Sequence, residues 1–228
     1  GGPGTLGAAG GVSAKEAVVC PADGRSGRST VRRRQHGIRK LASLLEYVSS
    51  PRLVRLRANG VPKGHYLDLA RPWLAQLPIR SVLDVGANTG QFALAAHEVF
   101  PQATIDSFEP LPDCHDKLSR RLAAVPGASA HRLAIGESAG TIQMHRSSYS
   151  PSSSLLRMAD AHKEAFPFTR DTVEVDVEVA RLDDVCANLT LADDLLLKID
   201  VQGYEDRVLR GASTTLRRAR LLIIETSF

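Results

Sequence analysis

No apolar run in this 228-residue chain approaches the roughly 20 residues that carry a helix across a bilayer, and the glycine-rich start holds no apolar stretch of leader type. Cysteine is scarce. Cys20, Cys114 and Cys186 stand far apart, which gives neither a metal-ligand spacing nor a disulfide framework, so the expected compartment is reducing and cytoplasmic. Aromatics make up only 5% of the chain, and none interrupts the arginine-rich stretch from Arg25 to Lys40, so that stretch lacks the rings on which bases stack. At the one glycine turn that follows an apolar strand, the pattern is Gly86-x-x-x-Gly90 rather than Gly-x-Gly-x-x-Gly, and no Gly-Lys-Ser/Thr follows, so neither usual phosphate cradle stands there.

Charge is unevenly placed. Residues 1–58 carry eleven basic and three acidic side chains, a net +8, whereas the whole chain carries only +4. The remainder is therefore acidic. A basic run of this kind suits anionic partners, but without interleaved aromatics a solvated basic tail is the expected state.

The informative stretch is Ser81-Val82-Leu83-Asp84-Val85-Gly86-Ala87-Asn88-Thr89-Gly90-Gln91-Phe92, followed by Ser107-Phe108-Glu109-Pro110. An apolar strand runs into a glycine turn and a helix, and a second strand ends in an acid about 20 residues further on. In nucleotide-binding βαβ units that acid accepts the ribose hydroxyls. Asp84 would repel a phosphate but attract an ammonium group. A ligand with adenosine, a ribose diol and an amino-acid tail meets these conditions, which is S-adenosylmethionine. Gly86 is expected to admit the ligand close to the backbone. Asn88 and Thr89 offer polar contacts, Gly90 opens the helix, and Glu109 binds the diol. Ala87 and Pro110 are expected to line the same site.

Along the chain, residues 1–35 read as a disordered basic N-terminal segment. Residues 36–78 read as N-terminal helices, over about 37–57 and 63–77. Residues 79–228 read as the S-adenosylmethionine-binding domain, with strands at 81–85, 103–108, 129–134, 173–179, 195–199 and 221–225. Helices are expected at 89–99, 111–124, 182–189 and 203–211, and 147–154 reads as a serine-rich loop. Strands alternating with helices imply an α/β fold with a doubly wound, mostly parallel sheet. The chain is expected to be cut at both ends, with the strand at 221–225 left as an open edge.

Ligands in such sheets bind at the carboxyl ends of the strands. Asp200 ends the strand Leu195–Ile199 and is the first candidate for a catalytic base or metal ligand. Glu205 and Glu225 follow. Lys198 shares a strand face with Asp200 and is expected to pair with it. His131 and His145 are expected to be ordinary structural or surface histidines.

Five motifs in order give the chain a family likeness: Val82–Phe92, Phe108-Glu109-Pro110, Arg181-Leu182-Asp183-Asp184-Val185, Leu197–Glu205 and Val208-Leu209-Arg210-Gly211-Ala212. From about residue 80 to 228 the sequence resembles the FkbM-type methyltransferases. The resemblance implies a Rossmann-like class I methyltransferase that uses S-adenosylmethionine to methylate a hydroxyl of a sugar, glycolipid or polyketide-like small molecule. By position it implies that Asp84, Gly86, Asn88, Gly90 and Glu109 bind the cofactor and that Asp200 lies at the active site. Two departures stand out: Gln202 sits where many members have Glu, and the last two strands of the fold are missing. A non-catalytic S-adenosylmethionine-binding domain is the alternative. A nucleic-acid methyltransferase ranks below it, because Asp200-Val201-Gln202-Gly203 stands where those enzymes carry Pro-Pro or Pro-Cys motifs.

Overall fold

The computed structural model describes residues 17–20, 50–147 and 172–225. In chain order its elements are β1 (Ala17–Cys20), α1 (Pro51–Ala58), α2 (Lys63–Leu69), α3 (Pro72–Ala75), β2 (Ser81–Val85), α4 (Gln91–Val99), β3 (Thr104–Phe108), α5 (Pro112–Leu122), β4 (Ala128–His131), β5 (Ala134–Gly136), β6 (Gly140–Ser147), β7 (Thr172–Arg181), α6 (Leu182–Cys186), β8 (Leu195–Ile199), α7 (Glu205–Arg210), α8 (Ser213–Arg218) and β9 (Ala219–Glu225). No helix among the described residues is long and apolar enough to cross a membrane.

The main sheet has the order β1-β9-β8-β2-β3-β4, and every pair in it is parallel. From β2 the chain steps outward through β3 to β4, then returns to the other side of β2 as β8 and β9. The order reverses between β2 and β8, so the crevice at their carboxyl ends is the topological switch point where such sheets take ligands. A smaller sheet, β5-β7-β6, flanks it. Its β7 shows the alternation expected of a half-buried strand, with Val177 and Val179 buried and Asp176 and Glu178 exposed.

Strand alternation sorts the core into two faces. Val82, Ile105 and Leu196 pack with Phe92, Ala93 and Leu118 of α4 and α5. Leu83, Val85, Leu195, Leu197 and Ile199 point the other way and pack with Leu182, Val208 and Ala212. Asp84 and Lys198 fall by parity on the first face, beside Val82 and Leu196.

Several expectations are corrected. The helix expected at 63–77 is broken into α2 and α3, because Arg71 precedes Pro72 and takes an extended ψ of 135°. The strand expected at 129–134 divides into β4 and β5, which belong to different sheets. Within the segment expected to be disordered, Ala17–Cys20 pairs with β9, register Ala17 to Leu222, and covers the edge that was expected to be open. Of the helix expected at 37–57, the structure describes α1 from Pro51, capped by the Ser50 hydroxyl accepting from Leu53 N at 3.4 Å. Residues 37–49, and 148–154 of the serine-rich loop, lie outside the described residues.

Two of the motifs prove architectural. Asp183 accepts hydrogen bonds from Thr214 N, Thr215 N (2.8 Å), Thr215 Oγ1 (2.8 Å) and Ser213 Oγ, satisfying amides at the start of α8 from another segment. A Cβ on Gly211 would meet the Gly136 carbonyl oxygen at 1.9 Å, so the α7–α8 junction passes backbone against backbone. Burial pushes the Asp183 carboxyl up, but the bonds from Thr214, Thr215 and Ser213 outweigh it and hold it below the usual range. The folded state thus binds this proton more weakly than the unfolded chain. The stabilisation is present above the ordinary Asp range and is lost as pH falls through the depressed value. Asp183→Ala is expected to cost about 2 kcal/mol at neutral pH, read as a lower urea midpoint with unchanged slope.

Candidate functional site

The turn after β2 is held from both sides. Gly86 N and Ala87 N both donate to the Phe108 carbonyl, at 3.1 and 3.0 Å, and Asn88 N donates to Glu109 Oε2 at 2.9 Å. Asn88 takes a left-handed φ of 49° and Gly86 one of 80°. Arg121 Nη1 donates to the carbonyl and hydroxyl of Thr89, at 2.7 and 2.9 Å. Ala87 is buried, and Gly90 adopts the left-handed conformation immediately before α4. Thus Ala87, Thr89 and Gly90 build the turn rather than face the crevice. What the missing Cβ of Gly86 makes room for is the chain itself. A Cβ there would lie 1.9 Å from the Asp200 carbonyl oxygen, so β2 and β8 converge at this glycine.

Beneath the turn lies a buried charge cluster. In-register pairing of β2 with β8 sets Asp84 beside Lys198. Lys198 Nζ is 3.2 Å from Asp84 Oδ1, 3.4 Å from Asp200 Oδ2 and donates to Gly86 O at 2.9 Å, with the Phe92 ring 5.7 Å away. Asp84 is 0% exposed and Lys198 is 7% exposed. Asp84 was expected to face the crevice; instead it sits below it with Lys198 as its cation. Burial pushes the Asp84 carboxyl up, opposed by Lys198. Burial works to lower Lys198, but Asp84 and Asp200 outweigh it and hold the ammonium above its ordinary value. The expected pairing of Lys198 with Asp200 is present, and the stronger contact is with Asp84.

Above the cluster, a cavity of about 220 Å³ opens at the carboxyl ends of β2, β3 and β8. Gly86, Asn88, Glu109, Pro110, Asp200 and Gln202 all line it. Glu109 is 6% exposed and accepts from Asn88 N through Oε2 and from Leu111 N through Oε1 at 3.0 Å. Both oxygens keep a lone pair for a ligand. Burial pushes its carboxyl up to about 7, against the two amides that favour the charged form. Gln202 Nε2 donates to Asp200 Oδ1 at 2.8 Å, which an ionised Glu at that position could not do. Glu205 accepts from Val201 N and Gly203 N and so anchors the loop after β8. Glu225 is raised by the charge of Asp200 and then by burial.

His131 is structural, paired through Nε2 with Asp106 Oδ1 at 2.8 Å and stacked on Phe108. The side chain of His145 lies outside the described residues. Among the described residues, no group of three or more His, Cys, Asp or Glu is arranged to hold a metal ion. A second cavity, about 320 Å³, lies toward α2 and α3 and meets the first at Asp200 and Glu225. His65 looks into it. Nothing in the sequence marks His65 or Arg121 as site residues, because each reaches the site only through the packing of its helix.

A parallel sheet that reverses order at β2/β8, with a buried acid at the end of β3 facing the crevice, defines a Rossmann-like α/β protein with a nucleotide-type crevice. Residues 84–228 match the Methyltransferase FkbM domain, and the chain belongs to that family. It is 34% identical over 180 residues to Methyltransferase sdnD of Sordaria araneosa, covering 67% of this chain and 69% of that protein. It is 28% identical over 160 residues to the 2-O-methyltransferase NoeI of Sinorhizobium fredii, covering 68% and 66%. It is 35% identical over 156 residues to the 31-O-demethyl-FK506 methyltransferase FkbM of Streptomyces tacrolimicus, covering 57% and 58%. The matches thus span from 58 to 69% of the length of these three relatives.

Proposed function

We propose that this chain transfers a methyl group from S-adenosylmethionine to a hydroxyl of a sugar, glycolipid or polyketide-like small molecule. The observation that carries this reading is Glu109. Its carboxylate is fixed by two backbone amides at the carboxyl end of β3 and opens onto the switch-point cavity. That geometry suits a vicinal diol, with one hydroxyl to each oxygen. Asn88 and Gly86 border the same cavity, and Asp200 stands at its far side. When bound, the cofactor supplies a methyl group activated by a sulfonium. The residues here contribute orientation, which supplies much of the barrier reduction in an in-line displacement. The relatives named as 2-O- and 31-O-demethyl-FK506 methyltransferases support an oxygen acceptor.

Calorimetric titration with S-adenosylhomocysteine tests the reading. Glu109→Ala is expected to weaken binding about 100-fold, the scale of two lost hydrogen bonds to a charged group. Unchanged affinity in a folded variant would sink the proposal. A pH signature follows from the carboxyl near 7. The ordinary Glu value is 4.5, so between 4.5 and about 7 the free folded protein binds a proton that the unfolded chain does not. Its contribution to stability therefore increases as pH falls through that window. A diol prefers the carboxylate, so S-adenosylhomocysteine affinity is expected to move the opposite way, declining below about 7. Thermal melts and titrations of wild type against Glu109→Gln isolate both trends from other groups.

A further inference from the structure

The second cavity lies on the sheet face opposite the apolar floor of the first. Its lining includes Leu74 and Phe92 of the Val82 face, whereas the first is lined by Val85 and Ile135 of the other. Only the carboxyl-end residues Asp200 and Glu225 border both. A group seated in one cavity therefore reaches a group seated in the other across these two acids.

The lining of the second cavity is mainly apolar and includes Trp73. Trp73 is 45% exposed, an uncommon state for the one tryptophan of the chain. Three polar side chains border it, His65, Asp200 and Glu225, with Asp200 the most buried of them. An apolar platform with a few convergent polar groups is the form of a small-molecule site. We propose that this cavity seats the acceptor as a hydroxylated ring with one apolar face against Trp73, and that His65 takes the proton of the hydroxyl that is methylated. The proposal rests on the methyltransferase reading above.

The chemistry balances. The acceptor oxygen uses a lone pair to bond the methyl carbon, the sulfur–carbon bond breaks with its pair left on sulfur, and the hydroxyl proton ends on the His65 imidazole. Asp200, the base expected from the sequence, is already engaged on both oxygens, by Gln202 and by Lys198. A carboxylate so engaged is a poor proton acceptor. His65 is free of that competition. The His65 ring keeps an exposed face; desolvation of the rest, then the Lys198 charge, lower its proton affinity, Asp84, Asp200 and Asp68 act in the other sense, and the net shift is downward. Arg71 and Glu225 also face the cavity. The imidazole is thus neutral, and able to accept, at neutral pH.

The sole tryptophan makes the seat directly observable. Protein saturated with S-adenosylhomocysteine would be titrated with methyl N-acetyl-β-D-glucosaminide, methyl β-D-glucuronide and a hydroxylated macrolactone while Trp73 emission is followed. At least one is expected to give a saturable change. Gly64 borders the cavity, and a Cβ on it meets no atom within 4 Å. Gly64→Phe is therefore expected to fill the space, abolish the fluorescence response and leave S-adenosylhomocysteine affinity within about twofold. His65→Asn is expected to keep the fluorescence response, lower methyl transfer about 100- to 1,000-fold and remove the acidic limb of the pH–rate profile. Trp73 emission unmoved by every probe, with S-adenosylhomocysteine bound, overturns the seat. A Gly64→Phe protein that binds and methylates like wild type does the same. A His65→Asn protein with the wild-type rate overturns the proton transfer. Failure to bind S-adenosylhomocysteine at all overturns the methyltransferase reading itself, which sets it apart from the other outcomes.

Discussion

Gly86→Val is expected to destabilise the fold by more than about 3 kcal/mol and to abolish S-adenosylhomocysteine binding in whatever fraction remains folded. Two independent terms add. The glycine has a φ of 80°, which a β-branched residue adopts only at a cost on the order of 1–3 kcal/mol. The new Cβ would also stand 1.9 Å from the Asp200 carbonyl oxygen and 2.8 Å from its carbon. Those are backbone atoms at the end of a central strand, so relief requires β2 and β8 to part at their carboxyl ends. That movement displaces Asp200 and disturbs Gly86 N, which donates to the Phe108 carbonyl beside Glu109. Gly211→Ala supplies the control. Its Cβ would meet the Gly136 carbonyl oxygen at the same 1.9 Å, but its φ of −82° is ordinary and neither glycine lines the cavity. It is expected to lower the urea midpoint while the folded fraction binds S-adenosylhomocysteine as wild type does. Should Gly86→Val melt within 1 kcal/mol of wild type and keep its affinity, the convergence of the strands has no energetic weight.

The sequence made the local elements legible where period and punctuation agree. The β2 turn, Glu109 at the end of β3, and the alternation of β7 all lie where residue spacing puts them. Long-range pairing was less legible. Val82 to Val85 reads as a buried strand in any register, and only the pairing of Asp84 with Lys198 shows that the acid faces a cation below the crevice. The same limit applies to Gly86: a glycine after a strand signals close approach, but the sequence does not say whether a ligand or the chain's own backbone approaches. Asp183 and Gly211 read as family motifs, and their reason lies in partners 30 or more residues away, at the start of α8 and at Gly136. His65 carries no local signal at all, because its place depends on α2 packing against α4.

Lys198→Met is expected to destabilise the protein by about 3–5 kcal/mol, and Asp84→Asn by clearly less. The asymmetry follows from the partners. Among the described residues, Lys198 is the cation within ion-pair distance of Asp84, and neither Asp84 oxygen has another aligned hydrogen-bond donor. Methionine in place of Lys198 therefore leaves a fully buried carboxylate alone. Asparagine in place of Asp84 leaves Lys198 with Asp200 at 3.4 Å and the Gly86 carbonyl at 2.9 Å. The double variant is expected to recover part of the Lys198→Met loss, giving a coupling energy on the order of 1–3 kcal/mol in a mutant cycle. The single variant also carries a pH signature. With the ammonium gone, burial raises the Asp84 carboxyl unopposed by its main partner, so the folded state binds that proton more tightly than the unfolded chain. The stability of Lys198→Met should therefore increase as pH is lowered through the range where Asp84 takes up its proton, and Lys198→Met/Asp84→Asn should lack that component. Equal losses from the two single variants, or additive ones, would mean that the pair is not the unit holding β2 to β8 beneath the site. If the cycle closes as expected, the ion pair holds the two strands whose ends form the cavity floor, and Asp200 keeps its place through the same ammonium.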